Sequence, residues 1–421
     1  MHAPSALNPT PLGIRALAMI EELAEISAEP ARLIRLYLSP EHRRAADLTA
    51  RWMQATGMSV REDALGTVCG RWSGNERPNG KRLLIGSHLD TVIDAGKYDG
   101  PLGVIAGILA VLHFVESGRA LPFGIDVLAF GDEEGSRFPS MLSTSAAAAG
   151  VFEPATLSLV DREGTSFAAA LSAYGKDASA IPAAAYASDE AAGYVEVHIE
   201  QGPLLEQANE PLGVVTGIVG QNRLRVTVEG EAGHAGTVPM ALRRDALSGA
   251  AEMVLALEEI ARGRADVAMV ATVGNLQAMP GATNVIPGRV TFMVDLRAMN
   301  DDRRTQSLTK FTQQIQDIAR KRKLTVATEI FTDKPVMECS PALQDLLSQA
   351  IADVGCRPIR LPSGAGHDAQ MMAKLCPSAM LFVRCRKGVS HNPAEHASPA
   401  DMGLAIAALI RLIERFDPHV R

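Results

Sequence analysis

The chain is 421 residues long, carries a formal net charge of −7, and is 47% hydrophobic. That length allows two or three domains with a sizeable core, and so modest a negative charge gives no basic field for nucleic acid. No apolar run reaches the length of a membrane span. The Pro/Ala-rich start, Met1–Pro11, lacks the cationic segment and apolar core of a signal peptide. The five cysteines, Cys69, Cys339, Cys356, Cys376 and Cys385, are odd in number, scattered and without a CxxC pair. This argues against a disulfide framework or a thiolate zinc site, and for inert thiols in a reducing cytoplasm.

Apolar residues at three- and four-residue spacings predict helices over Leu12–Ala28 and Pro40–Thr56. Val60–Trp72 alternates around Leu65-Gly66 as paired strands do, and Ser73–Gly80 is a polar Gly/Pro/Asn loop. The strand Leu83–Ile85 then leads into Gly86-Ser-His88-Leu-Asp90 and, after a short loop, Tyr98-Asp99-Gly100. A helix follows from about Leu102 to Glu116. Gly124–Phe130 is a second buried strand, ended by Gly131-Asp-Glu133-Glu134-Gly135. Tyr194–Ile199 is another; it carries His198 and stops at Glu200-Gln201-Gly-Pro203. Strands alternating with helices predict an α/β fold, a mostly parallel mixed sheet between helices. Low complexity is limited to Ala146–Ala149 and Ala183–Ala187, the second read as a surface loop.

From about Leu212 the pattern changes. Arg223–Glu229 alternates as a strand, Arg243–Gly263 reads as a helix, and Val267–Val273 and Arg289–Arg297 as two strands. Asp301–Lys323 is a long helix and Leu324–Phe331 a final strand. The order β-α-β-β-α-β is that of a ferredoxin-like split unit. The expected division is a catalytic domain over 1–211 and 332–421, with an α+β domain inserted over 212–331. The closing segment has helices over Pro341–Gly355 and Pro399–Phe416 and a strand over Ser378–Arg384. Between them lie the loops Gly364-Ala-Gly366-His367-Asp-Ala369 and Gly388-Val-Ser-His391-Asn-Pro393.

Imidazoles and carboxylates gather where these apolar strands end: His88, Asp90, Asp99, Glu133, Glu134, His198, His367 and His391. Open α/β sheets place their sites at such carboxyl-end crevices. The mixture of nitrogen and oxygen donors suits hard or borderline divalent metals, zinc above all. Any one of these residues alone reads as a satisfied core or loop residue, and Glu-Glu-Gly alone as a solvated acidic turn. Several strand ends together favour a metal centre.

Gly86-Ser-His-Leu-Asp90, Tyr98-Asp-Gly100, Asp132-Glu-Glu-Gly135, His198-Ile-Glu-Gln-Gly202, Gly233-His-Ala-Gly236 and Ser390-His-Asn-Pro-Ala-Glu395 resemble the dinuclear-metal amidohydrolases of the M20 peptidase superfamily. The nearest branch is that of N-carbamoyl-L-amino-acid hydrolases, ureidoglycolate-type hydrolases and allantoate amidohydrolases. The resemblance implies a zinc-exopeptidase-like catalytic domain and two divalent metal ions per subunit. Zinc comes first, with manganese, cobalt or nickel able to take the same donors. One ion would be held by His88, a bridging Asp99 and His198, the other by Asp99, Glu134 and His391. Asp90 would support the His88 imidazole, and Glu133 would be the general base. Neighbours on a regular strand point to opposite faces, so Glu133 and Glu134 need a turn or bulge to converge. His198 stands where the superfamily's peptidases usually have a carboxylate, which argues against a dipeptidase.

By the same resemblance, His234 would enter the partner subunit's active site and stabilise the oxyanion, implying a homodimer through the inserted lid domain. Gln201, Arg223, Asn284, Arg297 and the main chain at Gly366 would bind substrate. Arg297 would act as a fork for a carboxylate, and Asn284 as donor and acceptor to a ureido group. His367 is not among the implied ligands. Where relatives commonly have Gly-Ser beyond Pro139, this chain has Ser140-Met-Leu-Ser-Thr-Ser145, which bears on side-chain preference. The implied reaction is hydrolysis of the terminal ureido (N-carbamoyl) C–N bond of a small carboxylate, releasing ammonia and carbon dioxide. Allantoate is the first substrate because Gly217–Arg223 resembles the allantoate enzymes. N-carbamoyl-L-amino acids and ureidoglycolate-type substrates come next, and the non-enzyme alternative is a ureide-binding dimeric scaffold.

Overall fold

The computed structural model describes residues 7–74 and 80–419. The polar loop expected over Ser73–Gly80 falls mostly on 75–79, and the Pro/Ala-rich start partly on 1–6, outside the described residues. The chain divides into one unit of Met1–Thr216 with Cys339–Arg421 and another of Gly217–Glu338. The sequence expectation of 212–331 therefore shifts at both edges. Strand pairing explains the shift: the segment from Leu212 bonds to the strand Ser378–Val383, the strand Thr325–Lys334 runs past Phe331, and Met337–Glu338 pairs with Gly217–Ile218.

The strands of the first unit are β1 (Ser59–Glu62), β2 (Val68–Trp72), β3 (Arg82–His88), β4 (Gly124–Phe130), β5 (Ala191–Ile199) and β6 (Leu212–Ile218), the last running into the second unit. The second unit continues with β7 (Gly220–Glu229), β8 (Gly233–His234), β9 (Val270–Met279), β10 (Val285–Ile286), β11 (Arg289–Ala298), β12 (Thr325–Lys334) and β13 (Met337–Glu338). Back in the first unit come β14 (Ile359–Ser363) and β15 (Ser378–Val383). The large sheet runs β1-β2-β4-β3-β5-β15-β6-β13, with β14 beside β6.

Its centre, β4-β3-β5-β15, is parallel, and every residue of β3 and β4 is buried. Near-continuous apolar strands of this kind need helices on both faces. The helix Pro101–Ser117 supplies one cover, buried along most of its length and stopped by Gly118 in the left-handed region. Ile85, Ile105, Val127, Val197, Leu381 and Leu409 meet in the resulting core. Burying each such side chain contributes roughly 1.5–3 kcal/mol. Register sets His88 beside Phe130 and His198 beside Phe382, so the loops following β3, β4, β5 and β15 leave the same sheet end together.

The inserted unit is an antiparallel sheet, β12-β7-β11-β9, packed against the helices Ala246–Arg262 and Asp301–Arg322. Alternation buries Leu224, Val226 and Val228 with Val290, Phe292 and Val294. Asn300 caps the longer helix, with Asp301 and Asp302 in its first turn and Arg320–Arg322 in its last, as the helix dipole favours.

One sequence expectation is met only in part here. Of Ala183–Ala187, the residues Ala183, Ala185 and Ala187 are exposed and 185–187 is irregular, but Ala183 and Ala184 end a short 3-10 helix (Ala178–Ala184), and Ala184 and Tyr186 are buried. No described helix is long and apolar enough to cross a membrane. All five cysteines are free, and only Cys356 is partly exposed.

Candidate metal centre

Asp99 lies between two groups of donors. Its Oδ1 is 3.4 Å from His88 Nε2 and 3.0 Å from His198 Nε2, while its Oδ2 is 3.5 Å from His391 Nε2. His391 Nε2 is in turn 3.4 Å from Glu134 Oε2. Two triads result, His88–Asp99–His198 and Asp99–Glu134–His391, each with ligand atoms within 4.8 Å of one another. The five residues that the sequence suggests as ligands are thus brought together, with Asp99 common to both triads.

The histidine tautomers fit a cation. His88 Nδ1 is 3.0 Å from the Asp90 main-chain oxygen, and His198 Nδ1 is 2.9 Å from that of Ile199. A carbonyl can only accept, so each Nδ1 carries a proton and each Nε2 is turned toward Asp99. Both Nε2 atoms are buried without a hydrogen-bond partner. A ring nitrogen this close to a carboxylate oxygen calls for a positive charge between them, which a second ring proton supplies in the metal-free chain and a divalent ion can replace. Gly100 makes room for the His88 ring: a Cβ there would lie 2.5 Å from it, and its φ of +85 strains other residues.

Glu133 and Glu134 leave the end of β4 on a turn. Asp132 before them and Gly135 after them have φ of 58 and 60. Asp90 holds that turn, Oδ1 accepting from Glu133 N–H and Oδ2 from Glu134 N–H, each at 3.2 Å. Its carboxylate stands 3.5 Å from His88 Nδ1, farther than its own main-chain oxygen. Asp90 therefore supports His88 chiefly through its carbonyl, while its side chain places the two glutamates. Behind it, the fully buried Arg35 donates to Leu89 O at 2.7 Å and to Leu23 O and Ile26 O at 3.1 Å, tying this loop to the end of the first helix.

Burial pushes the Glu133 carboxyl well above the usual carboxylate range, and Glu134 adds to this. Burial and then Asp99 raise Glu134 from 4.5 to about 8. Burial resists ionising Asp99 too, but His198 and His88 hold it well below the usual range. Glu134 has a consequence for metal-free protein. Between about 4.5 and about 8 the folded state keeps a proton that the unfolded chain has lost, so stability falls as pH rises through that window. Melting in chelator should accordingly be lower near pH 8 than near pH 5 (about the ends of that window), with divalent cation restoring much of the difference. A higher melting point at the alkaline end would show that these acids do not govern stability.

Glu196, beside the centre, carries no signal in motif spacing. In β5, Tyr194, Glu196 and His198 share one face; Glu196 accepts from Ser87 Oγ at 3.2 Å, Tyr194 OH at 3.1 Å and Ala369 N–H at 2.9 Å. A charged residue inside an apolar strand, two positions before a histidine, is the clue that could have exposed it. His367 packs edge-on against His198 with ring centroids 4.4 Å apart, its Nε2 2.8 Å from Ser363 Oγ. Gly366 lies just ahead of it. Gln201, with φ 57, donates from Nε2 to Asp99 Oδ2 at 2.7 Å, and Ser390 Oγ donates to the same oxygen at 2.7 Å.

The remaining sequence candidates sit in the inserted unit. Asp295 of β11 accepts from Gln221 at 2.8 Å, Arg223 at 3.0 Å and Arg297 at 2.8 Å, gathering the two arginines on one sheet face. The β8–β10 pair sets His234 opposite Val285, next to Asn284, whose main-chain oxygen accepts from Ala235 N–H. His234 is exposed, and its Nδ1 accepts from Gly236 N–H at 3.1 Å.

Two His/carboxylate clusters sharing one aspartate, at the carboxyl end of a parallel sheet, define a hydrolase-type centre for divalent cations. The chain belongs to the M20/M25/M40 peptidase family, whose model matches residues 84–415. Family members use divalent metal ions. The chain is 42% identical over 430 residues to allantoate deiminase of Arabidopsis thaliana, covering 95% of this chain and 81% of that one. It is 40% identical over 402 residues to N-carbamoyl-L-amino acid amidohydrolase of Geobacillus stearothermophilus, covering 95% and 98%. Among solved structures, an amidase of the hydantoinase/carbamoylase family from Burkholderia multivorans matches with a TM-score of 0.90 at 33% identity, covering 95% of this chain and 97% of that one.

Proposed function

We propose that this chain hydrolyses the terminal ureido (N-carbamoyl) C–N bond of a small carboxylate, allantoate first, releasing ammonia and carbon dioxide. The observation that carries the reading is the pair of triads sharing Asp99, in a chain whose relatives act on C–N bonds outside peptides. Two divalent cations per subunit, zinc or else manganese, cobalt or nickel, would polarise the scissile carbonyl and acidify the attacking water. Glu133 takes that water's proton and returns it to the departing nitrogen. Its buried carboxyl, with proton affinity raised above the usual range, suits a group that must hold a proton between two steps. His234 accepts at Nδ1 from Gly236, so its neutral ring presents Nε2–H, a donor for an oxyanion.

Allantoate carries two ureido groups beside one carboxylate; an N-carbamoyl amino acid carries one. Arg297 holds Asp295 through Nε and Nη2 at 2.8 and 2.9 Å, so as receptor for the carboxylate it would exchange that partner for substrate. Arg223 meets Asp295 through Nε and is 43% exposed, which leaves other N–H groups for the second ureido carbonyl. The test is a parallel ammonia-release assay on allantoate and a panel of N-carbamoyl-L-amino acids. Allantoate should give the higher kcat/KM, and Arg223→Ala should cut it ~10-fold, about 1.4 kcal/mol, with less effect on the panel. A higher kcat/KM on the panel would assign the chain to the second reading, which the 40% match to a carbamoyl-amino-acid enzyme favours. Metal-replete protein releasing no ammonia from either would leave a ureide-binding scaffold.

A homodimer through the inserted unit belongs to the same proposal. The edge strands β9 and β12 expose Val270, Leu276 and Met279, and Ile330 and Phe331, apolar surface that a second copy would cover. Sedimentation of the assayed protein as a monomer would remove the cross-subunit role of His234. Free cysteines suit a cytoplasmic setting.

A further inference from the structure

We propose that Glu395 is a positioning residue that fixes the Asp99 carboxylate between the two triads, acting through the main chain of Tyr98–Asp99 and through Ser390. The inference rests on the reading of Asp99 as a cation ligand. Glu395 is 4% exposed and lies in the loop after β15, far in sequence from Asp99. Its Oε1 accepts from Tyr98 N–H at 2.9 Å and from Asp99 N–H at 3.1 Å. Its Oε2 lies 3.0 Å from Ser390 Oγ, which is itself 2.7 Å from Asp99 Oδ2. One carboxyl group thus holds the Asp99 main chain directly and seats against its side chain the Ser390 hydroxyl, whose single proton the two carboxylates share.

The local sequence is shaped around this seat. A Cβ on Gly96 would lie 2.2 Å from the Glu395 carboxyl carbon, so the chain can pass only as glycine. The turn Asn392–Glu395, closed by a 3.0 Å bond from Glu395 N–H to Asn392 O, carries Glu395 back over the loop that began at Ser390 and His391. Ser390 and His391 therefore approach Asp99 from the loop that Glu395 locks to Tyr98 and Asp99. With two other donors on Oδ2, Gln201 and Ser390, the carboxylate has little freedom to rotate away from the His88/His198 side. A buried carboxylate spent on orienting a ligand is the kind of support whose removal costs roughly 10–100-fold in metal affinity.

The test measures Co²⁺ and Zn²⁺ affinity of metal-stripped protein by competition titration, alongside the visible Co²⁺ spectrum and the melting point in chelator. Glu395→Ala, Ser390→Ala and Gly96→Ala should each weaken cation binding roughly 10–100-fold and alter the spectrum, with the fold retained. Glu395→Gln, which keeps an acceptor for the two N–H groups, should recover most of the affinity lost in Glu395→Ala. Wild-type affinity and spectrum in folded Glu395→Ala would overturn the proposal. So would a Glu395→Ala defect confined to the metal-free melting point while Ser390→Ala binds normally, since that marks a purely structural role. If Glu395→Ala does not fold, Ser390→Ala decides: weakened binding supports the proposal and unchanged binding overturns it. Wild-type protein that binds neither cation would instead refute the metal-centre reading itself.

Discussion

Glu133→Ala is expected to lower kcat by roughly 10²–10⁴-fold, the usual worth of a general base, while cation content stays at the wild-type value. The two neighbouring glutamates differ in what they face. Glu134 Oε2 is 3.4 Å from His391 Nε2, completing the triad with Asp99, whereas Glu133 Oε2 stands 3.9 Å from His88 Nε2, on the other side of the pair. The Asp90 carboxylate grips both backbone amides, so removing the Glu133 side chain leaves the turn and Glu134 in place. KM should change little, because a proton acceptor for water acts after substrate is bound. Metal analysis and steady-state kinetics on one preparation check both halves. Loss of a cation with the side chain would mean that Glu133 ligates and Glu134 takes the proton.

How far the sequence disclosed this centre depends on how local each cause is. β4 lies over Gly124–Phe130, the residues expected, because an unbroken apolar run bounded by glycine leaves few alternatives. The alternation predicts a strand over Val267–Val273, whereas pairing with β11 sets it at Val270–Met279, through Gly274 and past a bulge at Met293/Val294. The helices Ser143–Ala148 and Phe167–Ala173 are too short to show a period. The candidate ligands are legible for the same reason as β4: each sits at the end of an apolar strand or in the glycine-rich loop that follows one. Asp90 shows the limit. Its spacing from His88 suggests a partner for the imidazole, yet its carboxylate binds the amides of Glu133 and Glu134, which only strand order brings near. Glu196 and Glu395 act through partners more than a hundred positions away, and no local pattern encodes such contacts.

Asp99→Asn is expected to leave one cation per subunit and to abolish turnover. The carboxamide has one acceptor and one donor end, and its surroundings choose the orientation. Gln201 Nε2 and Ser390 Oγ both donate toward the Oδ2 position, which keeps the amide oxygen there. The NH2 group then takes the Oδ1 position and faces the Nε2 lone pairs of His88 and His198, 3.4 and 3.0 Å from that oxygen in the native chain. Its two N–H groups can satisfy both imidazoles, so the donor end fills the place of the cation and the fold survives. The Glu134–His391 side keeps the amide oxygen as a ligand and holds its ion, more weakly for want of the charge. Metal-free Asp99→Asn should melt no lower than metal-free wild type, because a buried carboxylate has been exchanged for a neutral group with partners. Metal analysis after dialysis against zinc measures the stoichiometry. Two tightly held cations in this variant would remove Asp99 from the bridge and with it the shared-ligand arrangement on which the rest of the centre depends.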